Sequence, residues 1–135
     1  MNVAIFTIVH NEDEYLKLWI QYYSKIIDIQ NLYILDDWST NNVLDSISIC
    51  SLNKIKLPHK MSSYEECTEY VNYFQQFLIE QYDIVIFTDV DEFIYCKHGL
   101  KNEILRFYYS TESVLTCTGF DILQDEIELD LDITQ

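Results

Sequence analysis

Glycine is almost missing from this chain: 2 of 135 residues, Gly99 and Gly119. That excludes a glycine-rich phosphate cradle of the P-loop or dinucleotide type, where backbone amides reach a phosphate past residues lacking a side chain. There is no Gly-x-Ser-x-Gly elbow either, which removes one common nucleophile of acyl chemistry. Proline occurs once, at Pro58, so long regular elements are expected rather than a loop-rich architecture. Basic residues are scarce, 8 against 23 acids, giving a net charge of −15. Such a surface repels nucleic acid and anionic membrane, and neither is expected as a partner. Cysteine is sparse and scattered: Cys50, Cys67, Cys96 and Cys117 form no Cys-x-x-Cys pair. Free buried thiols in a reducing compartment are therefore expected, rather than a disulfide framework or a thiolate metal cluster. Long apolar runs are absent too. The stretch Val3–Val9 is too short for a signal h-region or a membrane span, and a soluble, cytoplasmic protein is expected.

What is present is an ordered composition, 49% hydrophobic and 15% aromatic, with 11 Tyr and 7 Phe. Residues 1–135 are read as one domain, large enough for a single core but small for a complete two-substrate enzyme. Val3–Val9 is a continuous, β-branched apolar run, as in a strand buried on both faces. A helix is expected next, with Asn11 as its N-cap, Glu12, Asp13 and Glu14 in its first turn, and Lys25 near its end. Leu16, Trp19, Ile20, Tyr23 and Ile27 recur at helical spacing.

Leu32, Tyr33, Ile34 and Leu35 make a second strand; a short helix around Val43, Leu44 and Ile47 and a strand near Ile55 and Leu57 follow. Ser63 and Glu66 have the spacing of a capping box. The helix behind them carries Cys67, Tyr70, Val71, Phe74, Phe77 and Leu78 on one face. Ile84–Phe87 is another strand expected to be buried on both faces, and Leu100 to Tyr109 a helix. Val114 to Cys117 is expected as a strand, and Ile127, Leu129, Leu131 and Ile133 alternate with polar, mostly acidic residues like a half-exposed one. Strands alternating with helices imply an α/β fold with a mostly parallel, Rossmann-like sheet flanked by helices.

Three polar clusters fall at the carboxyl ends of these strands: His10-Asn11-Glu12, Asp36-Asp37-Trp38-Ser39-Thr40 and Asp89-Val90-Asp91-Glu92. In an open parallel sheet those ends line the ligand edge. Alternate residues leaving a strand point the same way, so Asp89 and Asp91 can converge on one cation while Val90 turns inward. Hard oxygen donors select Mg²⁺ or Mn²⁺, which would bridge a diphosphate to an acidic protein. A solvated pair of acids has the same spacing, so the position carries the reading rather than the pair itself. Asp36 or Asp37 can accept from a base or ribose, or can simply support a turn that caps the next helix. His10 alone is most simply a packing or hydrogen-bonding residue.

Taken together, Thr7-Ile8-Val9-His10-Asn11-Glu12, the Trp19 to Tyr23 helix, Leu35 to Thr40, and Tyr82 to Phe93 with its Asp89-Val90-Asp91-Glu92-Phe93 stretch resemble family-2-type glycosyltransferases. Thr118-Gly119-Phe120-Asp121-Ile122 resembles the same bacterial and viral subgroup. The resemblance covers nearly the whole chain, and the combination is more specific than any one motif. It implies a GT-A fold holding a nucleoside-diphosphate sugar, with a uridine nucleotide favoured, and a hydroxyl acceptor such as a glycan. By position, Thr7, Val9, Asn11 and Glu12 would frame the base, and Asp36 or Asp37 would hold base or ribose. Asp89 would lie by the ribose and diphosphate, with Asp91, and Asp89 beside it, as metal ligands for Mn²⁺ or Mg²⁺. The chain departs from the family where its usual glycine is Trp38 and its usual acid after Ser-Thr is Asn41. The family's acceptor region and catalytic base lie beyond residue 135, so the chain is expected to be the donor-binding half. Asp121 and Asp125 are the candidates for a base within it. An uncovered apolar face would favour self-association into a homo-oligomer.

Two other readings compete. A non-catalytic nucleotide-binding module would bind a nucleotide and transfer nothing. A haloacid-dehalogenase-type phosphatase also places Asp-x-Asp after a hydrophobic strand. Its pair sits on the first strand, with Thr or Val two residues past the second Asp, where this chain has Phe93 after residue 80.

Overall fold

The computed structural model describes residues 1–41 and 43–120. The elements are β1 (Val3–Val9), α1 (Asp13–Tyr23), β2 (Leu32–Asp36), α2 (Val43–Ser46), β3 (Asn53–Lys56), α3 (Tyr64–Ile79), β4 (Ile84–Phe87) and α4 (Leu100–Tyr108), with a 3₁₀ turn at Ile29–Asn31. The strands form one all-parallel sheet in the order β3-β2-β1-β4. The fold is α/β, a Rossmann-like parallel sheet flanked by helices. No helix of the described residues is long and apolar enough to cross a membrane.

β1 is uniformly apolar because it is central: it pairs with β2 on one side and β4 on the other. Its side chains feed two cores. Val3, Ile5 and Val9 pack with Leu16, Trp19, Ile20 and Tyr23 of α1 and with Leu100 and Ile104 of α4. Ala4 and Phe6 pack with Leu35, Leu57 and the α3 residues Phe74 and Leu78. α1 and α3 therefore cover opposite faces. The chain runs outward from β1 through β2 to β3, then returns to place β4 on the other side of β1. The order reverses at β1 and β4, and the crevice outside their carboxyl ends is where an open α/β sheet takes its ligand.

Several local expectations are corrected. Asn11 does not cap α1: Glu12 holds the cap position without a side-chain bond, and Asn11 adopts φ 61°. Its side chain is engaged with the loop after β2 instead. Lys25 lies past the end of α1, whose last turn contains no base. β4 is half-buried along its length, because its outer edge has no paired strand among the described residues. β3 starts two residues early, at Asn53, and ends at Lys56. Phe77 is half-exposed rather than part of the α3 core stripe. Residues 114–117 form no strand, and Val114 is well exposed. An apolar run becomes a strand only where a neighbour supplies its hydrogen bonds, and no described strand pairs with this one. None of the four free thiols is buried, and Cys50 and Cys117 are exposed. Ile127, Leu129, Leu131 and Ile133, together with Asp121 and Asp125, lie outside the described residues.

Candidate site at the switch point

β4 delivers Thr88 and Asp89 to the crevice, and the turn that follows is closed by Glu92 N–H donating to Asp89 O at 3.0 Å. Val90 turns into the core, whereas Asp89, Asp91 and Glu92 are exposed. The Asp89 carboxyl is pushed above its usual range, by partial burial first and then by the Glu92 and Asp91 carboxylates. Crowded, partly desolvated acids of this kind are relieved by a cation. Asp89 and Asp91 supply the hard oxygens that Mg²⁺ or Mn²⁺ takes, and such ions commonly use only one or two carboxylates beside phosphate oxygens. Among the described residues, no three His, Cys, Asp or Glu side chains converge as a complete metal set.

The position of this turn is set from α1. Trp19 Nε1–H donates to Thr88 Oγ1 at 2.8 Å. Tyr22 OH donates to Ile94 O at 2.7 Å, while Tyr23 OH donates to Glu92 O at 3.2 Å and accepts from Ile94 N–H at 3.1 Å. Phe93 packs against both tyrosine rings. Burial raises the Tyr23 phenol to about 12, so it stays protonated and keeps donating at any working pH. Periodicity identified this face of α1 only as core. The available signal was its polar tips, since buried indole N–H and phenol O–H groups require partners.

The loops after β1 and β2 are stitched together. Asp37 N–H donates to Val9 O at 2.9 Å. Asn11 N–H donates to Ser39 Oγ at 3.0 Å, and Asn11 Oδ1 accepts from Thr40 N–H at 2.7 Å and from Thr40 Oγ1 at 3.2 Å. Asp36 is buried and its Oδ1 accepts from Ser39 N–H at 2.8 Å, the bond of an Asx turn. Asp37 Oδ1 accepts from Met61 N–H at 2.7 Å, tying in the segment that leads to α3. Both acids therefore carry structural bonds, each through one carboxylate oxygen. Thr7 and Val9 are fully enclosed, leaving Asn11 and Glu12 as the β1-exit residues at the surface of the edge.

Cys67, in the first turn of α3, links the acid clusters. Its thiol is pushed up by burial, then by Asp89 and then by Asp37, so both acids act on one point. Ser63 Oγ accepts from Glu66 N–H at 3.2 Å, the forward half of the expected capping box. The reverse half is diverted, with Glu66 accepting from the Ser62 amide and hydroxyl at 2.7 Å.

Comparisons with protein-family models, curated proteins and solved structures find no match. The site is thus read from its own geometry.

Trp38 holds φ 56°, the left-handed region that favours glycine. The indole is retained there by Nε1–H donating to Leu57 O at 3.0 Å and by Lys56 Nζ lying 4.6 Å from its ring centre. Trp38→Gly is expected to be more stable than Trp38→Ala by about 1 kcal/mol, because both lose the indole but only alanine keeps the left-handed cost. Urea denaturation of the two variants measures the difference, and the reverse order would show that the turn does not hold this conformation.

Proposed function

We propose that this chain binds the nucleotide sugar of a metal-dependent glycosyltransferase reaction of GT-A type, in which sugar passes from a nucleoside-diphosphate sugar to an acceptor hydroxyl. The observation that carries the reading is the placement of a partly desolvated Asp89, crowded by Asp91 and Glu92, at the switch point of a parallel sheet. A chain of net charge −15 needs a cation to hold an anionic ligand at such a point. A Mn²⁺ or Mg²⁺ ion held by Asp91 and Asp89 would neutralise the leaving diphosphate. The chain's own part is positioning. Trp19, Tyr22 and Tyr23 fix the acidic turn, and Asn11, Ser39 and Thr40 fix the facing loop, with Asn11 and Glu12 on the nucleotide side. A uridine nucleotide is the favoured donor.

A thermal-shift screen of uridine diphosphate and other nucleoside diphosphates, with and without Mn²⁺, tests the reading. The nucleotide with Mn²⁺, at ~100 times its Kd, is expected to raise Tm by about 5–10 °C, and by clearly more than either alone. Equal shifts without the metal would remove the metal from the site, and no shift with any nucleotide would overturn the reading. Nucleotide binding without sugar transfer or hydrolysis would favour a non-catalytic module.

A further inference from the structure

In a chain with 8 basic residues, two cations lie at this edge: Lys56, over the Trp38 ring, and Lys60, beside a histidine fifty residues away in sequence. Lys60 Nζ lies 3.4 Å from His10 Nε2. The partners define the ring. Asp37 O can only accept, so the His10 nitrogen 2.6 Å from it, Nδ1, carries the proton. Lys60 and the Asn11 amide can only donate, so Nε2 is the acceptor toward Lys60 and toward Asn11 Nδ2 at 3.3 Å. Lys60 is thus the donor to His10 Nε2. Lys17 pairs with Asp13, Arg106 with Glu103, and Lys54 donates to the Leu44 and Ile47 carbonyls. Among the described residues, no carboxylate lies within 4.0 Å of Lys60.

The placement is tertiary. Leu57 N–H donates to Asp36 O at 2.9 Å and Met61 N–H donates to Asp37, which brings the chain after β3 back across the β2 exit to the end of β1.

We propose that Lys60, oriented by His10, is a phosphate contact borne by the protein itself, which grips the diphosphate of the ligand without a metal. It rests on the nucleotide-diphosphate reading and adds a second, metal-independent grip to it. A lysine held by one side-chain acceptor can turn its two remaining N–H bonds to phosphate oxygens while His10 holds the third.

The test is isothermal titration of inorganic pyrophosphate and of uridine diphosphate, in EDTA and in Mn²⁺, with the whole chain. Pyrophosphate is expected to bind the unaltered protein in EDTA. Lys60→Met, which keeps the aliphatic stem, is expected to weaken that binding at least about tenfold. Lys60→Arg should retain most of it. Circular dichroism checks that each variant is folded. Undetectable pyrophosphate binding in EDTA, or equal affinity in Lys60→Met, would overturn the proposal. If Lys60→Met is indifferent while uridine diphosphate still binds through Mn²⁺ and Asp91, the proposal alone falls. If pyrophosphate binds through Lys60 but neither uridine nor Mn²⁺ adds affinity, the phosphate contact stands and the nucleotide-sugar reading falls.

Discussion

Trp19→Ala is expected to lower the free energy of unfolding by about 3–5 kcal/mol, a large part of the ~5–15 kcal/mol that holds a small domain together. Trp19 has no exposed surface, packs 5.0 Å from the Tyr23 ring, and donates to the buried Thr88 hydroxyl. Truncation opens a cavity between α1 and the sheet and removes the donor to Thr88 at once. Trp19→Phe separates the two effects. It keeps most of the apolar volume but leaves Thr88 without its donor, at about 1–3 kcal/mol, and loosens the residue before Asp89. Urea denaturation followed by circular dichroism gives both values. A loss below about 1 kcal/mol for the alanine variant would mean the indole is not enclosed as described.

Asp91→Ala is expected to remove Mn²⁺-dependent nucleotide binding altogether while leaving the fold intact, since an exposed carboxylate at a strand exit supports no core. Unchanged affinity by titration would eliminate Asp91 as a metal ligand. Asp89→Asn is expected to separate stability from function. The Asp89 carboxyl is raised from its ordinary 3.8, by burial and by the neighbouring Glu92 and Asp91 charges. A carboxyl raised by folding binds its proton more tightly in the folded state than in the unfolded one. Stability therefore falls as pH rises from the ordinary value through the raised one, and stays lower above it. Asparagine avoids that ionisation. Without metal, the variant should melt above the parent at neutral pH, and the two should converge in acid below the ordinary value. It should also lose the Mn²⁺ response. Equal melting temperatures across the pH range would show that Asp89 is not held at an electrostatic cost.

That trade is visible only in three dimensions, although its parts are local. The acids of Asp89-Val90-Asp91-Glu92 and their position after an apolar strand are plain in the sequence. What pushes the Asp89 carboxyl up is its burial against the rest of the edge, and burial is a property of packing. Asn11 shows the opposite outcome. Asparagine before a run of acids is the usual start of a helix, yet its backbone turns left-handed and its side chain serves the loop after β2. A bond to a segment about thirty residues away displaced the local preference. Residues 114–117 differ for the complementary reason: the local pattern favoured a strand, and no described strand completed it.

The sequence by itself determined the parallel α/β class. Uninterrupted apolar runs such as Val3–Val9 suit only strands covered on both faces, and the stripe through Leu16, Trp19, Ile20 and Tyr23 suits only a helix lying on them. It also determined that polar clusters end the strands, because periodicity and its interruption depend on residues two to four positions apart. The tertiary structure alone decided the strand order β3-β2-β1-β4, and with it the switch point between β1 and β4. It decided too that α1 aromatics hold the acidic turn, that Asp36 and Asp37 each commit an oxygen to the backbone, and that Lys60 meets His10. Those outcomes depend on which distant surfaces bury together, and a short window of sequence does not contain its distant partners.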